Sequence, residues 1–178
     1  ESGDALMIKD IPTQEITTLQ KRPDYHIDPQ LGTYFIDLNN TLDEFKDAKV
    51  RQALSLALDR KYISETITAG TYTPAKGFIP QGVSDWDGSS WYDHLTDPSV
   101  YINVDDYQSN LAKAKELLAE AGHPNGEGLP TLTYSTNDSA YHKKIAEYLQ
   151  QAWGELGLKI DVNIVEWKSF TPQRRSGN

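Results

Sequence analysis

Apolar positions along the chain follow two rhythms, one of three to four residues and one of two. Val50, Ala53, Leu54, Ala57 and Leu58 keep the i, i+3, i+4, i+7, i+8 spacing of a single helix face, with Asp47 ahead of them as an N-cap. Asp59 caps a following helix whose stripe is Tyr62, Ile63 and Ile67 and whose stop is Gly70. Asp105 or Asp106 opens another, with Leu111, Ala114, Leu118 and Ala121 inward, halted by Gly122-His123-Pro124. Residues 139–156 form the strongest helical pattern, with Ile145, Tyr148, Leu149, Ala152, Trp153 and Leu156 on one face and Gly157 at the end. A short helix over 13–19 would take Thr13 as its N-cap, with Ile16 and Leu19 one turn apart. A last helix over 167–175 contains Pro172, which should shorten or break it.

The two-residue rhythm marks strands. Leu158, Ile160, Val162 and Ile164 alternate with Lys159, Asp161 and Asn163, and Tyr34, Ile36 and Leu38 share one side of residues 32–38. The turn Asn125-Gly126-Glu127-Gly128 leads into a strand over 129–134, and a short apolar run at 5–8 predicts one more. Between 71 and 104, Pro74, Gly77, Pro80, Gly82, Gly88 and Pro98 forbid regular structure, and irregular stretches of that length tend to carry function. Strand–helix–strand order over 129–164 is a βαβ unit with a right-handed crossover and parallel strands. The expected class is therefore α/β, a mixed sheet flanked by helices, with residues 1–178 as one domain.

Composition narrows this. At 178 residues, with 38% hydrophobic and 24% charged, the chain supports one good core, and no apolar run approaches the roughly 20 residues of a membrane helix. The net charge of −9, from 26 acidic against 17 basic residues, repels phosphate backbones, so no nucleic-acid partner is expected. The absence of cysteine excludes disulfides, thiolate zinc sites and a cysteine nucleophile. Glu1-Ser2-Gly3-Asp4 has neither the charged nor the apolar region of a signal peptide, and Arg174-Arg175-Ser176-Gly177-Asn178 closes without a packed element. Such ends fit either a cytoplasmic protein or a processed or engineered piece.

Little in the sequence carries catalysis. No Gly-x-Ser-x-Gly elbow is present, and Gly126-Glu127-Gly128 precedes a strand and reads as a turn, not a phosphate loop. His26, His94, His123 and His142 lack metal-ligand spacing. The acidic stretch Asp85-Trp86-Asp87-Gly88, continuing through Asp93-His94 to Asp97, offers hard oxygen ligands for Ca²⁺ or a metal-dependent hydrolase, but it matches no EF-hand spacing and reads better as a solvated loop. Trp86, Trp91 and Tyr92 in that stretch must either fold back on a core or meet a ligand. No cofactor, metal site or catalytic residue is assigned.

The run Asp47-Ala48-Lys49-Val50-Arg51-Gln52-Ala53-Leu54-Ser55-Leu56-Ala57-Leu58-Asp59-Arg60 strongly resembles a segment of the extracellular solute-binding proteins that serve ABC importers of oligopeptides and dipeptides. Ala112-Lys113-Ala114-Lys115-Glu116-Leu117-Leu118-Ala119-Glu120-Ala121-Gly122, then Ala146-Glu147-Tyr148-Leu149-Gln150-Gln151-Ala152-Trp153, and then Glu166-Trp167-Lys168-Ser169-Phe170 with Arg174 and Gly177 follow in that family's order. Each block alone is core helix; together, over most of 32–177, they are specific.

The resemblance implies one lobe, the second, of a two-lobed periplasmic-binding-protein fold of type II, which closes on a peptide by a hinge motion. It implies a binding protein and not an enzyme, located in the periplasm or, through a lipid anchor, on the outer face of the membrane. Its partners would be an oligopeptide, the first lobe of its own chain and the ABC permease subunits, with the isolated lobe a monomer. An adhesion or signalling receptor could reuse the same fold. By the same resemblance, His142 and Arg174 match residues that hold the ligand's carboxyl end, and Tyr34 matches a strand bordering the cleft. Arg175, beside Arg174, competes for that role.

Overall fold

The computed structural model describes residue 7, residues 11–97 and residues 102–176. The strand expected at 5–8 falls, apart from Met7, outside the described residues. Thr13–Leu19 form helix α1, whose N-cap is Pro12 and not Thr13, so Thr13 lies inside the first turn with its hydroxyl buried and unpartnered. Of its stripe, Ile16 is buried.

Ala48–Leu56 form α2, and the Asp47 carboxylate accepts from the Lys49 N–H at 2.7 Å. The expected face is buried: Val50, Ala53, Leu54 and Ala57 are all at most 2% exposed. Asp59 then accepts from the Tyr62 N–H at 2.9 Å and opens α3, Arg60–Tyr62. After one turn α3 widens into a π-helical turn over Ile63–Ile67, which still buries Ile67, and Ala69 and Gly70 at positive φ end it.

Tyr107–Glu120 form α4, and the choice between two caps resolves to Asp106, which accepts from the Ser109 N–H at 3.1 Å. Its inward side carries Leu111, Ala114, Leu117 and Leu118, and it packs along α2. Strand β1 runs Leu132–Asn137, α5 runs Ala140–Gly154 and β2 runs Ile160–Val165. The strands pair in parallel from Leu132 opposite Ile160 to Asn137 opposite Val165, the expected βαβ arrangement. Trp153 ties this unit to the helices, with its indole N–H donating to the Leu54 carbonyl at 2.9 Å while the ring is 4% exposed.

Both strands begin later in the sequence than alternation suggests. Pro130 has no N–H to give a ladder, so β1 starts beyond it. Leu158 spends its N–H on the Trp153 carbonyl at 3.1 Å, and Gly157 (φ 81°) donates to Gly154 at 2.9 Å, the two bonds of a Schellman turn that closes α5. Residues 32–38 lie in no helix and join no ladder among the described residues, so the sheet seen here is the parallel β1–β2 pair and not a mixed one. Ile36 and Leu38 still pack partly against the core. Trp167–Ser176 form α6, which continues through Pro172 and buries none of its described side chains. Among the described residues no helix is long and apolar enough to cross a membrane.

The irregular region folds around one closed loop. Trp91 N–H donates to the Val83 carbonyl at 3.0 Å, Asp85 N–H to Ser89 at 2.8 Å and Gly88 N–H to Asp85 at 3.0 Å. The Asp87 carboxylate takes both the N–H and the hydroxyl of Ser89, at 2.9 and 2.6 Å. The three aromatics divide: Tyr92 is buried and Trp91 half-buried, whereas Trp86 at the tip is 92% exposed.

Candidate functional site

Segments distant in sequence bring their aromatic rings together beside β1. Tyr34, on the segment 32–38, stands edge-on to Tyr141 with centroids 5.5 Å apart and lies 5.7 Å from the His142 ring. Tyr72, from the loop after the π-turn, stacks on Tyr141 at 5.7 Å and 7°. Burial, then the neighbouring phenols, pushes the Tyr34 and Tyr141 hydroxyls well above the usual phenol range, and Tyr134 of β1 also shares a hydrogen bond with Tyr34. Tyr34 and Tyr141 stay protonated at any physiological pH, available as donors and acceptors.

The loop that presents Tyr72 is held from behind. Arg60 donates to the Ala75 carbonyl and, at 2.9 Å, to the Ser55 hydroxyl, while Tyr92 donates to the Pro74 carbonyl at 2.9 Å. Lys76 places its ammonium 5.1 Å from the Tyr92 ring. Phe78 then meets Phe35 edge to face at 5.2 Å, and its carbonyl accepts from the Thr33 hydroxyl at 2.8 Å. Tyr34, Phe35, Tyr72, Phe78 and Tyr141 line one wide, open groove.

His142 lies in the first turn of α5, with Nδ1 buried and without a hydrogen-bond partner. Burial holds its imidazole below the ordinary value, partly opposed by the backbone of Asn137. At neutral pH the ring is therefore an uncharged hydrogen-bonding group. Arg174 lies on α6 and its Nε sits 3.2 Å from Asp37 Oδ2, both side chains more than half exposed. Arg175 is exposed beside it. Thus Tyr34 and His142 touch each other, Arg174 is tied to the same segment through Asp37, and His142 and Arg174 stand outside the groove's own lining.

Sequence reasoning missed Tyr72, Tyr134, Tyr141 and Asp37. Tyr141 directly precedes His142 and could have been flagged with it; the others gain their role through tertiary contacts that no local pattern announces.

The arrangement suits recognition. It offers π-faces, neutral donors and acceptors, and a guanidinium within reach of solvent. Ser89 Oγ lies 3.0 Å from His94 Nε2, and the nearby Asp87 carboxylate accepts from the serine hydroxyl at 2.6 Å. Among the described residues no three His, Asp or Glu side chains converge to hold a metal ion.

Residues 1–178 match the family model described as the middle part of bacterial extracellular solute-binding proteins, family 5. The periplasmic oligopeptide-binding protein OppA of Escherichia coli is 34% identical over 171 residues, 94% of this chain and 30% of that protein. The periplasmic murein peptide-binding protein MppA of E. coli is 31% identical, over 97% of this chain and 28% of its own length. Among solved structures, a periplasmic oligopeptide-binding protein of an oligopeptide ABC transporter from Borrelia burgdorferi superposes with TM-score 0.73 at 29% identity, covering 94% of this chain and 31% of that one. The chain spans less than a third of the length of each.

Proposed function

This chain belongs to the bacterial extracellular solute-binding proteins of family 5, and from that premise we propose that it is the second lobe of an ABC importer's peptide receptor. The observation that carries the reading is the groove wall built by Tyr34, Tyr72 and Tyr141, with His142 packed against it. An aromatic wall with few fixed charges accepts varied side chains. The peptide's own backbone and ends then supply most of the specific hydrogen bonds. A first lobe from the rest of the parent chain would close over this wall, and the loaded protein would deliver its peptide to the permease. The parent would work in the periplasm or lipid-anchored on the outer face of the membrane, and its role is binding, not catalysis.

His142 and Arg174 are assigned to the ligand's carboxylate end, with Tyr34 at the border of the cleft. Arg174 enters this role already paired with Asp37, so a ligand carboxylate must compete for it. The test is the affinity ratio between free-acid and C-terminally amidated peptides, measured by calorimetry on the full-length parent. Arg174→Ala should weaken free-acid binding selectively, by roughly one to two decades, since a charge-assisted hydrogen bond is worth about 1.5–3 kcal/mol. Asp37→Asn should move the ratio the opposite way, because it removes both the competitor and a like charge. A ratio unchanged in Arg174→Ala but altered in Arg175→Ala moves the assignment one residue along; one unchanged in both removes it.

A further inference from the structure

Trp86 is the most exposed large apolar residue described, at 92%, and it stands on a loop that is ordered without it. The tip is closed by the backbone bonds of Trp91 to Val83 and Asp85 to Ser89, and the Asp87 carboxylate staples Ser89. Below it, Tyr92 and Leu95 are buried and anchor the loop to the body. The indole contributes nothing to that framework, and a rigid loop that holds an aromatic ring in water has a binding partner's usual anchor ready-made.

The surrounding charge says what kind of partner fits. Between Lys76 and Lys113 the sequence has six aspartates (Asp85, Asp87, Asp93, Asp97, Asp105 and Asp106) and no lysine, arginine or glutamate. Asp105 pairs with Lys61 at 2.8 Å and Asp106 caps α4, while Asp87 accepts from the Ser89 hydroxyl at 2.6 Å and Asp85 from the Trp86 N–H at 2.7 Å. Asp85 and Asp87 flank the indole, and Asp93 lies exposed beyond it. Anionic lipid headgroups would be repelled by this tip, and one indole is a small anchor against that repulsion. A protein pocket that is apolar at its floor and rimmed by Lys or Arg matches both features.

We propose that the Trp86 loop is a docking anchor of this lobe, its indole entering a cation-rimmed pocket on the outer face of the importer's membrane subunits. The identity of that partner rests on the transport reading above; the pocket chemistry rests on the loop alone. Trp86 lies outside the aromatic wall, so docking and peptide binding separate experimentally.

The test uses the full-length parent and its importer in nanodiscs of zwitterionic lipid. Docking is read as direct binding to the discs, and peptide binding by calorimetry in parallel. Trp86→Ala should weaken docking by roughly tenfold or more while leaving peptide affinity and melting temperature unchanged, with Trp86→Phe retaining part of the loss. Asp85→Asn with Asp87→Asn should weaken docking at low salt and converge on wild type at high salt. Docking that is indifferent to Trp86, or Trp86-dependent binding to empty anionic discs, overturns the proposal. A parent that docks through Trp86 yet binds no peptide would keep the anchor and remove the peptide reading.

Discussion

In the first turn of α5, burial and charge oppose one another at His142. Its ring packs against Tyr34 and Tyr141, and its Nδ1 has no partner, so protonation would place a cation where hydration is poor. The folded-state imidazole thus titrates below its unfolded value of about 6.5, and the folded chain binds fewer protons between the two. Stability contributed here is fully present above about pH 6.5 and is lost as pH falls from there through the depressed folded value. Urea midpoints of wild type and His142→Gln should therefore draw closer between pH 7.5 and pH 5; a constant gap would show that burial leaves the ring unshifted. A ligand carboxylate at His142 would raise that folded value, so peptide binding should take up protons at mildly acid pH. The family resemblance drew attention to this histidine and to Arg174, but nothing in the sequence showed that the first would be half-buried with its imidazole held below the ordinary value or the second paired with Asp37. Those states depend in part on tertiary neighbours, Tyr34 against His142 and Asp37 against Arg174.

At the level of elements, helices were legible because their stripes are long and their caps are local: Asp47, Asp59 and Asp106 all bind the backbone of the next turn. Strand limits were less so, since a ladder depends on both partners. Leu158 alternates like a strand residue but is consumed by the turn that ends α5, and residues 32–38 alternate without a described neighbour to pair with. The Schellman turn also carries the tightest steric demand in the βαβ unit. A Cβ on Gly157 would fall 2.0 Å from the Asn125 carbonyl oxygen, on a residue whose φ is +81°. Gly157→Ala should destabilise the chain by about 2–4 kcal/mol, combining left-handed backbone strain with overpacking. Gly154→Ala, at a helical position with open space around it, should be neutral or mildly stabilising. Denaturant midpoints of the two variants check the contrast, and equal midpoints would mean that the turn relaxes freely.

For the molecule as a whole, the α/β class was readable from element order, and the aromatic wall was not, because Tyr34, Tyr72 and Tyr141 come from three separate segments. A core running from Val50 to Ile160 joins α2, α4, α5 and both strands, so the chain alone should melt as one cooperative monomer. Its groove is open on one side, and enclosure supplies both desolvation and the opposing contacts. Calorimetry of the isolated chain against mixed tri- to pentapeptides should accordingly give weak binding or none; submicromolar affinity would mean that one lobe is a complete receptor. The same absence of Lys and Arg that gives the Trp86 loop its charge has a further effect. Trypsin cuts only after those two residues, so it must release Gly77 to Lys113 as one piece, however exposed the loop becomes. Chymotrypsin cuts after aromatics and finds Phe78 and Trp86 both open to water. One protease is blind to the least regular part of the molecule, and the other finds its substrates displayed there.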